Sequence, residues 1–171
     1  MEVLRIKNTR LVWLGATLSA VLLGAAFVFG MLTKGIVPTV SVVLTSLTLE
    51  VLAGAAASVP LGFDPAMGAL VASLANLAPV PLLAASFDAL VRRWNWLSRK
   101  LARAEKFGAQ YGKYGVWVLA PLAPFLGVYV GVSIGALFRF PPISVLTSLA
   151  VGVIASSLLT TMGMAELMRL L

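Results

Sequence analysis

The chain has 171 residues, 60% of them hydrophobic and 11% charged, with a mean hydropathy of +1.01. Soluble domains carry about 25% charged residues, so this composition excludes a water-facing globule. Thirteen Lys/Arg against six Asp/Glu leave a net charge of +7, and the lack of His and Cys excludes disulfide frameworks, zinc-thiolate and iron–sulfur sites, thiol catalysis and imidazole triads.

The charges cut the sequence into five membrane-length blocks. Residues 11–33 are an uncharged run of 23, enough to cross about 30 Å of hydrocarbon at roughly 1.5 Å per residue. They follow a basic leader, MEVLRIKNTR, but outrun the roughly 7–15 residues of a signal-peptide core. An uncleaved first transmembrane helix is therefore predicted. Residues 35–63 carry one charge, Glu50, and residues 65–87 are uncharged between Asp64 and Asp88. The polar stretch 88–113 follows, with seven Lys/Arg against Asp88 and Glu105. Its apolar positions Leu90, Trp94, Leu97, Leu101 and Ala104 recur every four and three residues, the stripe of a helix lying on a membrane surface. Residues 114–138 and 140–165 are the last two uncharged runs.

Positive charge selects the topology. If all five blocks cross, the better orientation places nine Lys/Arg inside and four outside. If residues 36–59 enter and leave on one face, the split becomes eleven to two, which fits the positive-inside rule better. The count does not distinguish the two paths for residues 115–137. There Pro121 and Pro124 interrupt the block. Interior proline costs a helix roughly 3 kcal/mol, so a second turn-back is expected. The halves also echo one another at an offset of about 76 residues. Small-residue clusters (53–58; Gly127, Gly131, Ser133, Gly135) precede the junctions GFDP and FRFPP, and an apolar helix follows each.

Several of these segments carry a family resemblance. Residues 50–83 and 107–135 resemble the small multidrug export family of prokaryotic membrane proteins, through Glu50, Val-Pro-Leu-Gly at 59–62, Asn76, Pro-Val-Pro at 79–81, Lys-Tyr-Gly at 113–115 and the proline turn at 121–124. That family is distantly similar to the DedA/VTT superfamily of transporters and lipid flippases or scramblases, so the resemblance implies two opposed re-entrant hairpins. No Arg follows Glu50 closely or follows the proline turn, so the family's coupling and phosphate-binding chemistry is not carried over.

The expected fold is all-α: one polytopic membrane domain over residues 1–171 with an inverted repeat. It comprises a first transmembrane helix (11–33), a first half (36–90, re-entrant hairpin plus transmembrane helix), a basic interfacial helix (91–113) and a second half (114–166) built like the first. The N-terminus and residues 91–113 are expected on the cytoplasmic side of a prokaryotic plasma membrane. Glu50 is the sharpest site candidate, because a lone carboxylate at membrane depth must be paired, protonated or functional. With Asn76, Pro121 and Pro124 it forms the expected proton and substrate pathway. Pro60, Asp64 and Arg139 mark hairpin junctions, and Gly127, Gly131 and Gly135 form a close-packing face. No HExxH or Walker A motif occurs and there is no His for a triad, so neither enzymatic activity nor a metal or cofactor is expected. The function expected is translocation of a small amphipathic or lipid-like substrate, with a non-transporting assembly or scaffolding subunit as the alternative. Expected partners are membrane lipids, that substrate and a second copy of the chain, and no nucleic acid.

Overall fold

The computed structural model describes residues 2–93, 112–138 and 140–170. The described residues are helical without a strand: α1 (Glu2–Lys34), α2 (Ile36–Thr48), α3 (Glu50–Ser58), α4 (Pro65–Leu77), α5 (Val80–Arg93), a 3-10 helix (Gly112–Val118), α6 (Leu119–Leu126), α7 (Val128–Leu137) and α8 (Pro142–Leu170). Three stretches are long and apolar enough to cross a membrane: Arg10–Lys34, Pro65–Ser86 and Pro142–Leu170. The described residues thus form an all-helical arrangement with three candidate membrane spans.

The two remaining hydrophobic blocks are each broken into helices too short to span alone, 13 and 9 residues in the first and 8 and 10 in the second, against the ~20 a crossing needs. In the first, α2 ends at Thr48, Leu49 caps it and the chain turns at Glu50, whose φ of 79° is the one positive value at a non-glycine among the described residues. Ser46, four residues before the turn, lies against Gly54, four residues after it, so α3 folds back on α2. In the second block the turn is Gly127, φ 80°. The sequence reading placed this break at Pro121 and Pro124. Both prolines instead lie within α6. Pro121 occupies its first turn, where the amide needs no helical acceptor. Pro124 frees the Ala120 carbonyl, which lies against Gly152 of α8, where no side chain intervenes.

The halves share one spacing: Glu50 precedes Pro65 by fifteen residues, and Gly127 precedes Pro142 by the same interval. At the start of α4, the Asp64 side chain accepts from the Ala66 amide at 3.1 Å and Pro65 takes the first helical position, an ordinary helix start. Asp64 therefore works as a cap, beside the turn that holds exposed Pro60.

Helix α1 runs antiparallel to α4 and α5. Gly15 meets Pro81 and Ala85 near one end, while the Lys34 ammonium lies beside Gly62 at the other. Helix α8 packs along α3, α4, α6 and α7. Gly131 receives Leu149 and Gly135 receives Val145, so two members of the glycine face pack on α8 within the chain. The third, Gly127, meets Glu50. The core they enclose is built mainly of Val, Ala and Leu, including Val42, Val51, Val71, Ala75, Val128, Leu149 and Val153. Trp13, Leu14, Val21 and Leu32 of α1 and Leu159 and Met162 of α8 face outward, where hydrocarbon tails are the natural solvent.

Residues 94–111, which hold most of the expected basic interfacial helix, and Arg139, the expected second junction, lie outside the described residues.

Candidate functional site

The site is assembled where the two turns meet. Ending α2 at Thr48 strips its last carbonyls of intrahelical donors, and in an apolar core each bare carbonyl is costly. The Leu49 amide covers the Thr45 carbonyl at 2.8 Å. Asn76 of α4, fully buried, donates its Nδ2 to the Ser46 carbonyl at 2.8 Å. Tyr129 of α7 donates its hydroxyl to the Leu47 carbonyl at 3.0 Å. Three successive carbonyls of one helix end are thereby satisfied, the first by the helix's own cap and the next two by separate elements, which ties α2 to both α4 and α7.

Glu50 returns the arrangement in the opposite sense. Its carboxylate accepts the Val128 backbone N–H, the first residue of α7. An anion there is favoured by the helix dipole as well as by the hydrogen bond. The carboxylate also fills the space that a side chain at Gly127 would occupy. Gly127 is therefore glycine for two independent reasons: its φ of 80° with ψ of 154° suits few other residues, and any Cβ would collide with the Glu50 carboxyl.

Three buried oxygens at this junction have no hydrogen-bond partner among the described residues: Ser46 Oγ, Glu50 Oε2 and Asn76 Oδ1. Each such group costs about 1–3 kcal/mol unless water or a ligand satisfies it. They cluster on Glu50, on the last buried residue of α2 and on the residue that caps it. This is the polar centre of an otherwise apolar interior.

Of the residues singled out from sequence, Glu50, Asn76 and Gly127 come together here. Pro121 and Pro124 lie on α6, the helix leading into the Gly127 turn, and Gly131 and Gly135 lie one and two turns beyond it on the α8 side. Pro60 and Asp64 sit at the far end of α3. Sequence reasoning missed Tyr129. A phenol in a stretch otherwise without hydrogen-bonding side chains between Val118 and Val132 was the available signal, since a buried tyrosine hydroxyl needs an acceptor.

No curated protein and no solved structure matches the chain. Residues 20–159 match the family described as "Putative small multi-drug export protein". That span takes in both turns, their capping residues, the Pro65–Ser86 stretch and most of the other two candidate crossings, and on it the chain belongs to this family of small multidrug export proteins.

Proposed function

We propose that the protein exports small amphipathic or lipid-like molecules across the membrane and couples that movement to protons through Glu50. The observation that supports this reading most directly is the contact between the two turns, Glu50 against Gly127 and Val128, where helices too short to cross meet. Non-helical backbone is tolerated at membrane depth only where protein buries it or where it lines a cavity. Half-helix ends meeting in this way are the usual architecture of transporter binding sites. In this reading α2–α3 and α6–α7 are two re-entrant hairpins entering from opposite faces, the inverted-repeat plan of DedA-like proteins. The Lys34 ammonium beside Gly62 supports the first of them, because it brings both mouths of that hairpin to one end of the bundle.

The proton acts on the contact itself. An ionised Glu50 accepts from the Val128 amide and holds the two turns together. Protonation removes the charge that the α7 terminus favours, loosens the contact and lets one half rock against the other. The substrate's polar head takes up the exposed backbone groups, and its apolar part stays among the valines and leucines of the core.

Purified protein in vesicles tests the reading with ethidium and a fluorescent phospholipid as probes, with and without a pH gradient. Gradient-dependent movement of either probe is expected, and Glu50→Gln should abolish its pH dependence. Movement of neither probe would remove the transporter reading and favour a scaffolding role. Single cysteines at positions 34, 62, 98 and 139 test the topology, since the chain has no native thiol. Positions 34 and 62 should label from one face, 98 and 139 from the other.

A further inference from the structure

A line of polar side chains leads away from Glu50 through the apolar core. Ser73 and Asn76 lie one turn apart on α4, and Ser157 and Thr161 one turn apart on α8; all four are buried. The Ser73 and Ser157 hydroxyls meet at 2.5 Å and join the two long helices. Asn76 then reaches the Ser46 carbonyl, and Ser46 precedes Glu50 by four residues. Thr161, Ser157, Ser73, Asn76 and Ser46 thus mark a polar route toward the Glu50 turn through a core that includes Val42, Val71, Ala72 and Val153.

Helix–helix adhesion accounts for part of this line. A serine pair between membrane helices adds modestly to their association, and the Ser157 and Thr161 hydroxyls also reach carbonyls of their own helix, Val153 at 2.7 Å and Leu158 at 3.1 Å. Adhesion does not account for the three unpaired oxygens at the other end, Ser46 Oγ, Asn76 Oδ1 and Glu50 Oε2. Buried oxygens of this kind are the places where proteins hold ordered water.

We propose that this line is the proton path to Glu50, with water bridging the three unpaired oxygens and taking protons on from the Ser73–Ser157 pair. The proposal rests on the reading of Glu50 as the coupling group and names the route by which that group is reached. Each hop takes place at a hydroxyl or water oxygen, which gains an O–H bond to the incoming proton and gives up another to the next oxygen, while Asn76 Oδ1 only accepts a hydrogen bond from the bridging water and holds it in place. The net result is one proton moved and one carboxylate neutralised. Few other charges intrude. On the helices packed around the turn, α2, α3, α4, α6 and α7, the only other titratable side chain is Tyr129, which faces Glu50. Helix α8 carries Glu166 and Arg169, paired with each other at its exposed end.

The test follows protons and probe separately in vesicles holding full-length protein, with an internal pH dye reporting proton entry and ethidium reporting transport. Wild type is expected to take up protons as ethidium leaves, and Glu50→Gln to stop the uptake. Ser73→Ala and Ser157→Ala should slow it about tenfold, the rate equivalent of one ordinary hydrogen-bonded link. Ser157→Thr keeps the hydroxyl and should restore the rate, which separates relay from packing, and unchanged melting temperatures would show that the alanine variants are folded. Alanine variants that take up protons at the wild-type rate, while Glu50→Gln does not, overturn the path and leave Glu50 coupling standing. Wild type that moves ethidium without protons overturns both the path and the coupling but not the export; wild type that moves neither overturns all three.

Discussion

Glu50 and Gly127 turn the chain with nearly the same φ, 79° and 80°, and they are held there by opposite means. At Gly127 the conformation is intrinsic, since a residue without a Cβ adopts it freely. At Glu50 it costs about 1–2 kcal/mol, and the surroundings impose it: Asn76 and Tyr129 hold the carbonyls before the turn, and Val128 holds the carboxylate after it. One turn exists because a side chain is missing; the other carries a side chain in spite of the strain. The difference shows which turn is retained for its chemistry. A glycine at position 50 would serve the fold better, so the carboxylate answers to something other than stability.

Four substitutions probe that asymmetry. The largest effect belongs to Glu50→Gln, which keeps size and hydrogen-bonding capacity but cannot carry the proton. Gradient-driven probe transport should fall by about a hundredfold, the lower range for loss of a proton-transfer group, with the melting temperature little changed. Gly127→Ala should destabilise the protein by about 2–3 kcal/mol, from the strained φ and the collision with the Glu50 carboxyl, as read by thermal melting in detergent. Pairing it with Glu50→Gly should recover part of that loss, because the collision then disappears. Glu50→Gly alone should raise stability by about 1 kcal/mol as strain is relieved while coupled transport is lost; a loss of stability would reverse the assignment of which turn is strained. Tyr129→Phe, which bares the Leu47 carbonyl, should cost about 0.6 kcal/mol, typical for a hydrogen bond between membrane helices. It should also raise amide exchange at the end of α2 more than at α7.

The three stretches long and apolar enough to cross were legible in the sequence because an uncharged run of the right length has few other uses. The broken character of the two remaining blocks was legible too, the first from the distribution of Lys and Arg and the second from its prolines. The position of each break was not. Prolines are the strongest local punctuation, yet Pro121 falls in a first turn that needs no donor, and the carbonyl freed by Pro124 is accommodated at Gly152. The Glu50 turn has no local signal at all. Its neighbours Leu49 and Val51 suit a continuous helix, and the break is dictated by Asn76 and Tyr129, 26 and 79 residues further along the chain. The candidate site was therefore half visible: the odd carboxylate and amide stood out against apolar surroundings, but their convergence, and the tyrosine that joins them, belong to tertiary structure.

The distance along the chain between the two turns has a consequence for biosynthesis. While the ribosome is still making the second half, α2 and α3 are too short to be released into lipid on their own, and the amide that caps the Ser46 carbonyl is not made until Asn76. The final partner of Glu50, the Val128 amide, arrives another 52 residues later. The nascent first half must therefore wait with an unpaired carboxylate, sheltered by the insertion machinery or by water at its mouth, and the polypeptide becomes competent to leave only when the second turn docks. A nascent chain halted after residue 113 should keep Glu50 open to aqueous carbodiimide, and one extended past α8 should protect it.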